Sequence, residues 1–311
     1  MGHLARAACV LTALFAGVLV LSGCGSGAAE DAAPIAFTGI PPGGTDRHVF
    51  VVDPDGGPVR ELTVVDGDSD PSWSPDGTRV AFRRWARKGC RRPHQDCAQI
   101  VVVDADGKRS RTLTAGVHHS LQPDWSPDGR RVVFARWQDD ANPFANSMDI
   151  YVVNADGTGL RLLTRGPGDD ASPAWSPDGK RIAFISTRSG SYDVHVMRAD
   201  GSDLHRLTRT GKPATAPAWS PDGNQIAFGS GDGELVVVNA DGTGLRTLTR
   251  SFSGDGQPTW SADGERIGFV RQGIFGDSLY VMREDGSAAH RVDIGEITQP
   301  SDPDWAPVGA D

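Results

Sequence analysis

A six-bladed β-propeller of four-stranded antiparallel blades is predicted by three observations. The phrase Pro-x-Trp-Ser-Pro-Asp-Gly, or a close variant, recurs with its tryptophan at Trp73, Trp125, Trp175, Trp219, Trp260 and, shortened, Trp305. Successive tryptophans lie 52, 50, 44, 41 and 45 residues apart, a period that fits one propeller blade per repeat. Glycine (39) and proline (21) supply many tight turns, while 38% hydrophobic content is enough for a sizeable core.

Each repeat explains itself locally. Ser-Pro-Asp-Gly places proline second, with φ already near −65°, and glycine fourth, as a type I turn closing on a left-handed residue requires. The strand after it reads Arg-Val-Ala-Phe (79–82), Arg-Val-Val-Phe (131–134), Arg-Ile-Ala-Phe (181–184), Gln-Ile-Ala-Phe (225–228) or Arg-Ile-Gly-Phe (266–269). It is apolar without alternation, so both its faces are covered. A second hairpin follows around x-x-Asp-Gly, as in Ile-Tyr-Val-Val-Asn-Ala-Asp-Gly (150–157), and in most repeats Leu-Thr ends the outer strand. These four strands are named A to D here, with the tryptophan on A; the six tryptophans are expected to pack between blades.

The two ends of the repeat region complete each other. Residues 34–63 supply strands B, C and D with no A before them, and 303–307, Pro-Asp-Trp-Ala-Pro, supply an A with nothing after. Pairing them closes the ring and removes exposed sheet edges.

The predicted domains are 1–23, a lipoprotein signal peptide; 24–33, a flexible tether; and 34–311, the propeller. Arg6 precedes an apolar run from Ala7 to Leu21, about 15 residues against the ~20 that a bilayer span needs. Leu21-Ser22-Gly23-Cys24 resembles the lipobox of bacterial lipoproteins, in which the cysteine carries the lipid. The resemblance implies a membrane anchor at Cys24 and an extracytoplasmic protein tied to a bacterial membrane. The tether would reach about 17 Å. Export implies an oxidising compartment, where Cys90 and Cys97 are expected to form a disulfide. The competing reading, a metal site with His94, lacks further ligands. The formal charge of −9 disfavours nucleic acid as a partner, and the chain is expected to be a monomer.

The repeat resembles the TolB-type β-propeller family, whose signature is the Pro-x-Trp-Ser-Pro-Asp-Gly-x-x-Ile-Ala-Phe phrase followed by the x-x-Asp-Gly hairpin. That resemblance covers roughly 34–311. It implies a scaffold that binds partners in the cell envelope, the family precedent being the Tol-Pal system, where the propeller accompanies an N-terminal α/β domain.

Strand direction sorts the loops. The Ser-Pro-Asp-Gly and Ala-Asp-Gly turns share one face, and the long B–C loops and D–A crossings share the other, here called the outer face. The tether enters at the start of a strand B, so the outer face is expected to point away from the membrane. Three sets of residues gather there. The segment 83–97, "RRWARKGCRRPHQDC", holds Arg83, Arg84, Arg87, Lys88, Arg91 and Arg92 and suits an anionic partner, or is a solvated insertion balanced by neighbouring aspartates. Two residues past the strand-B phenylalanine come Arg84, Arg136, Ser186, Ser230, Arg271 and Gly39; three before the tryptophan come Asp70, Gln122, Ser172, Ala216, Gln257 and Asp302.

From these, Arg84, Trp85, Arg136, Trp137 and Arg271 are the candidate contact surface for an envelope protein or an anionic ligand, with Asp70 and Asp302 at the channel mouth. The competing reading makes the same arginines bridges to aspartates that lock adjacent blades. Metal is weakly indicated. Asp66-Gly67-Asp68-Ser69-Asp70 opens like a calcium loop, but Pro71 stands where glycine is required and Gly77 where the closing glutamate belongs. Calcium in the channel, or metal on His118 and His119, stays open as a lesser alternative, and no cofactor is expected.

For catalysis there is no Gly-x-Ser-x-Gly elbow, and the neighbours Asp139-Asp140 and Asp169-Asp170 are not by themselves an acid/base pair. No catalytic residue is assigned; the alternative function is a metal-assisted hydrolase or lyase at the channel mouth.

Overall fold

A computed structural model describes residues 33–86, 97–114, 119–137, 147–251 and 253–307. The signal peptide, Cys24, the tether up to residue 32, the basic loop 87–96 with Cys90 and His94, His118 and Asp139-Asp140 lie outside the described residues. The rest forms six four-stranded antiparallel sheets, numbered I to VI. Blade I joins β24 (Thr298–Trp305) to β1 (Ile35–Ile40), β2 (His48–Val52) and β3 (Arg60–Glu61). Blade II is β4 (Asp68–Trp73), β5 (Arg79–Ala86), β6 (Cys97–Asp104) and β7 (Ser110–Thr112). Blade III is β8 (Ser120–Trp125), β9 (Arg131–Trp137), β10 (Met148–Asn154) and β11 (Arg161–Leu162).

Blade IV is β12 (Asp170–Trp175), β13 (Arg181–Ser186), β14 (Asp193–Arg198) and β15 (His205–Arg206). Blade V is β16 (Ala214–Trp219), β17 (Gln225–Ser230), β18 (Glu234–Asn239) and β19 (Arg246–Thr247). Blade VI is β20 (Asp255–Trp260), β21 (Arg266–Arg271), β22 (Ser278–Arg283) and β23 (His290–Arg291). Strand A of each blade packs on strand A of the next, from β4 through β8, β12, β16 and β20 to β24 and back to β4. The ring closes where Ile35 pairs with Trp305 and the Ala306 N–H donates to the Pro34 carbonyl at 2.8 Å.

The Ser-Pro-Asp-Gly turns take the expected form. Gly77 N–H donates to the Ser74 carbonyl at 2.9 Å, with Gly77 at φ 65°. Ser74 Oγ donates to Asp76 Oδ1 at 2.5 Å and accepts from Arg79 N–H at 2.9 Å, which ties the turn to the next strand. Burial works against the charge of Asp76, but the hydroxyls of Ser74 and Thr78 outweigh it and pull the carboxyl down to about 2.

The strand-B phenylalanines Phe37, Phe82, Phe134, Phe184, Phe228 and Phe269 are fully buried. The repeat tryptophans pack between blades as expected, and the arginine that begins strand B caps the tryptophan of the following blade. Arg79 lies over Trp125, Arg131 over Trp175, Arg181 over Trp219 and Arg266 over Trp305, at 4.6–5.0 Å. Such contacts contribute by cation–π attraction as well as by covering the ring.

The recurrent Leu-Thr also has a structural reason. Strand D is only two or three residues long, and it ends on a two-pronged clasp to the first residues of strand C. In blade III the Leu163 N–H donates to the Ile150 carbonyl at 2.8 Å, while Thr164 Oγ1 accepts the Ile150 N–H at 2.9 Å. Thr63, Thr114, Thr208 and Thr249 do the same for Val49, Ile100, Val194 and Leu235 at 2.9–3.0 Å. Thr164 is buried, so Thr164→Val keeps the volume and strands a buried N–H, a loss of about 1–2 kcal/mol. Urea unfolding checks this, with Thr164→Ser expected near the wild type; a valine variant as stable as wild type would show the clasp to be idle.

Candidate binding site at the channel mouth

The mouth is built by a proline and the residue before it. Pro71, Pro123, Pro173, Pro217, Pro258 and Pro303 sit in strand A, where they offer no ladder N–H. The residue preceding each, Asp70, Gln122, Ser172, Ala216, Gln257 and Asp302, takes a left-handed φ of 43–55°. In each blade the pairing of A with B shifts register across this point. It is a β-bulge that re-aims one side chain. All six of these side chains line a central cavity of about 460 Å³, with the six prolines beneath them.

Side chains of this ring bond to the backbone of the next blade. Asp70 Oδ2 accepts the Gln122 N–H at 3.3 Å, Gln122 Oε1 accepts the Ser172 N–H at 2.9 Å, and Gln257 Oε1 accepts the Asp302 N–H at 3.0 Å. Gln257 Nε2 also donates to Asp302 Oδ1 at 2.5 Å. Burial and the neighbouring charge of Asp70 push the Asp302 carboxyl up to about 7. In blade I the Asp70 N–H goes to Thr38 Oγ1 at 3.1 Å and not to Asp302, and with Ser172 and Ala216 on the remaining blades the mouth carries acids and amides over blades VI, I, II and III and only small side chains over IV and V.

A second ring lies one residue before each tryptophan. Asp124 Oδ2 accepts the Trp175 N–H at 2.6 Å, Asp304 Oδ2 the Trp73 N–H at 2.7 Å, and Thr259 Oγ1 the Trp305 N–H at 3.0 Å. Both carboxyls line the cavity, enclosed by the ring of strands. Burial pushes Asp124 up to about 7, against the Trp175 N–H; it pushes Asp304 up to about 8, with the charge of Asp124 adding to it.

The predicted arginines hold strand ends within a blade, not between blades. Arg84 grips the buried Asp68 with two bonds of 2.7 Å, and Arg271 grips Asp255 at 2.7 and 2.8 Å. Each pair joins strands A and B of one sheet, because the position two past the phenylalanine stands opposite the position five before the tryptophan. Arg136 is buried; its Nε donates to Ser120 Oγ at 3.1 Å and its guanidinium lies over Phe134 and Tyr151. In blade IV Ser186 is too short to pair alone, and Arg188 reaches Asp170 from two residues on. In blade V the pair is Ala214 opposite Ser230, with no charge at all.

Trp85 and Trp137 both meet a residue that the sequence suggested only as a metal ligand, Trp85 through its ring and Trp137 through its backbone. Trp85 is exposed, and its ring meets His119 edge-on at 5.5 Å, while the Trp137 N–H donates to the His119 carbonyl at 3.0 Å. Arg83, expected only as part of the basic segment 83–97, stacks on Trp85 at 5.6 Å, donates to Ser69 Oγ at 2.7 Å and faces Asp70 at 3.4 Å. Alternation along β5 was the available signal: Arg84 and Arg83 point to opposite faces, so only one can join Asp68. The calcium-like acids diverge, Asp66 to His48, Asp68 to Arg84 and Asp70 towards Arg83. Among the described residues no group of three or more His, Cys, Asp or Glu side chains is arranged to hold a metal ion.

A closed ring of six four-stranded blades around a lined channel defines a six-bladed β-propeller. The chain belongs to the TolB beta propeller domain family, whose profile matches residues 141–308. Among solved structures it is similar to TolB from Acinetobacter baumannii, 20% identical over 90% of this chain and 68% of that one, with a TM-score of 0.74. The hydrazine synthase of Kuenenia stuttgartiensis is 16% identical over 90% of this chain and 47% of that one, with a TM-score of 0.72. At such identities these likenesses establish the fold alone. The uncharacterized peptidase YuxL of Bacillus subtilis (strain 168) is 37% identical over 65 residues, 21% of this chain and 9% of that protein's length.

Proposed function

We propose that this propeller is an extracytoplasmic scaffold of the cell envelope, held to a membrane by lipid on Cys24, that binds a protein partner through its outer face. Its contact surface is centred on the seam of blades II and III, at Trp85 and Trp137 with Arg83 and His119, next to Asp70 and Asp302 at the channel mouth. The supporting observation is where the repeat breaks down. The tight turns are nearly identical from blade to blade, whereas the outer ends of strands A and B vary in charge, size and aromatic content around the ring. A frame kept constant at one end and diversified at the other is what a recognition surface on a rigid scaffold requires.

In this reading Arg84, Arg136 and Arg271 serve recognition by fixing the strand ends that carry the surface. A disulfide between Cys90 and the buried Cys97 braces the basic loop beside it. Alanine at these arginines would disturb the frame, so the test is a photocrosslinking residue in the full chain in its native host. Placed at Trp137, it is expected to give a discrete adduct with one identified envelope protein. Placed at Ala155, in a tight turn on the other face, it is expected to give none. Equal capture at both positions, or none at Trp137, would sink the assignment.

A further inference from the structure

Four outer-face loops between strands B and C are closed by a four-residue hydrogen-bonded turn, which in blades IV, V and VI has its closing glycine left-handed (Gly190 φ 95°, Gly233 φ 80°, Gly276 φ 120°) and in blade I its third residue instead (Gly43 φ 72°). The last glycine donates its N–H to the first carbonyl in Pro41–Gly44 (3.0 Å), Thr187–Gly190 (2.8 Å), Ser230–Gly233 (2.8 Å) and Gly273–Gly276 (3.0 Å). The two corner residues are Pro42-Gly43 in blade I, Arg188-Ser189 in blade IV and Gly231-Asp232 in blade V. Pro42, Gly43, Ser189, Gly231 and Asp232 are ordinary turn residues, and Arg188 folds back onto the buried Asp170. In blade VI the corner is Ile274-Phe275, and these side chains are 94% and 99% exposed. The backbone does not ask for them, since the sister loops of blades IV and V make the same turn without any large apolar side chain.

Nor is the loop a loose tail that happens to carry apolar residues. A Cβ on Gly273 would stand 2.6 Å from the Gly276 carbonyl oxygen, and Gly276 has φ 120°. Glycine on both sides therefore lets the turn close tightly and pushes its corner outward. The Gln272 N–H ties the base of the loop to the Gly254 carbonyl at 2.8 Å. Two adjacent large apolar side chains held at the corner of a braced turn make a convex finger.

The surroundings of the finger select its partner. The two outer-face segments of blade VI, 272–277 and 293–297, carry Asp277, Asp293 and Glu296, against one basic residue, Arg250, in the crossing from blade V to which the loop base is tied. In a chain of formal net charge −9, that rim opposes an anionic lipid surface. It favours a protein surface with the opposite sign.

We infer that Ile274 and Phe275 form an interaction finger that inserts into an apolar pocket of a partner protein whose rim carries lysine or arginine. The finger stands on blade VI, across the ring from Trp137 on blade III, so it engages a different surface of a partner, or a different partner, from the aromatic seam.

The test places p-benzoylphenylalanine at position 275 of the full chain in its native host and identifies adducts by mass spectrometry. The expected result is one protein adduct whose cross-linked peptide lies in an apolar pocket bordered by Lys or Arg. Its yield should fall about fivefold or more in a variant with Asp277→Lys and Glu296→Lys, because steering and rim pairing are both reversed. An unchanged thermal melt of that variant would show that the frame is intact. An adduct to lipid, an adduct to a second copy of this chain, no protein adduct, or a protein adduct indifferent to the charge reversal would each overturn the inference. A Trp137 adduct without a Phe275 adduct would sink the finger and keep the seam; the reverse would do the opposite.

Discussion

Replacing Asp304 with asparagine is expected to stabilise the propeller at pH 8.5 and to leave it nearly unchanged at pH 5. The carboxyl faces the channel from an enclosed position, accepts the Trp73 N–H at 2.7 Å and is pushed up to about 8 by burial, with the Asp124 charge adding to the effect. In the unfolded chain it would titrate near its ordinary value of 3.8. Between those two values the folded state holds a proton that the unfolded state has lost. Stability from this group is therefore complete below about pH 4 and is lost as pH rises through 8. Asparagine mimics the protonated acid: its carbonyl still accepts from Trp73, and its NH2 takes the place of the O–H.

The channel admits water, so the gain is expected to be about 1–2 kcal/mol at pH 8.5, well short of what a sealed site would give. Asp124, pushed up to about 7, acts in the same direction, and the double asparagine variant should show a flatter melting profile from pH 5 to 8.5. His48 complicates the wild-type profile. Burial opposes its charge, but Glu61 and Asp66 outweigh burial and raise it, so its contribution is likewise lost as pH rises through the raised value. Comparing variant with wild type at each pH cancels that background. Parallel profiles would mean that Asp304 is ionised in the folded protein at neutral pH.

The ring and its closure were legible because each repeat carries its own turn chemistry, and because residues 34–63 and 303–307 are complementary fragments of one blade. The channel mouth was legible by counting back from each tryptophan, since a fixed offset within a repeated strand must land at a fixed place in the ring. The Asp–Arg pairs were harder. Asp68 and Arg84, Ser120 and Arg136, Asp170 and Ser186, Ala214 and Ser230, and Asp255 and Arg271 are each separated by 16 residues. Lining up the repeats would have shown that constant spacing. Whether such a pair spans one blade or two depends on the A–B register, which the bulge at each proline shifts. The finger at Ile274-Phe275 could be seen only as two apolar letters in a loop; its meaning came from finding the same turn in two sister blades.

Breaking the pair in blade VI should cost more than removing it. With Arg271→Ser, the Asp255 carboxylate, buried with its side chain at 0% exposure, loses two bonds of 2.7 and 2.8 Å and keeps its desolvation. Loss of one partner of a buried pair costs about 3–5 kcal/mol, and about 2–4 kcal/mol is expected here because the guanidinium is 28% exposed. Asp255→Ala is milder, about 1–2 kcal/mol, since the freed guanidinium can turn to water and still lie over Phe269 and Tyr280.

The double variant Asp255→Ala with Arg271→Ser rebuilds in blade VI the Ala214 and Ser230 combination of blade V, which closes the same sheet without charge. Its cost should therefore lie near that of Asp255→Ala alone, leaving a coupling about as large as the Arg271→Ser effect itself, about 2–4 kcal/mol, in a cycle read from urea midpoints. Additive single effects would mean that Arg271 contributes by packing alone. Coupling of the expected size would explain why the sequence varies this position in matched pairs, and why arginine appears there only where strand A supplies a polar partner.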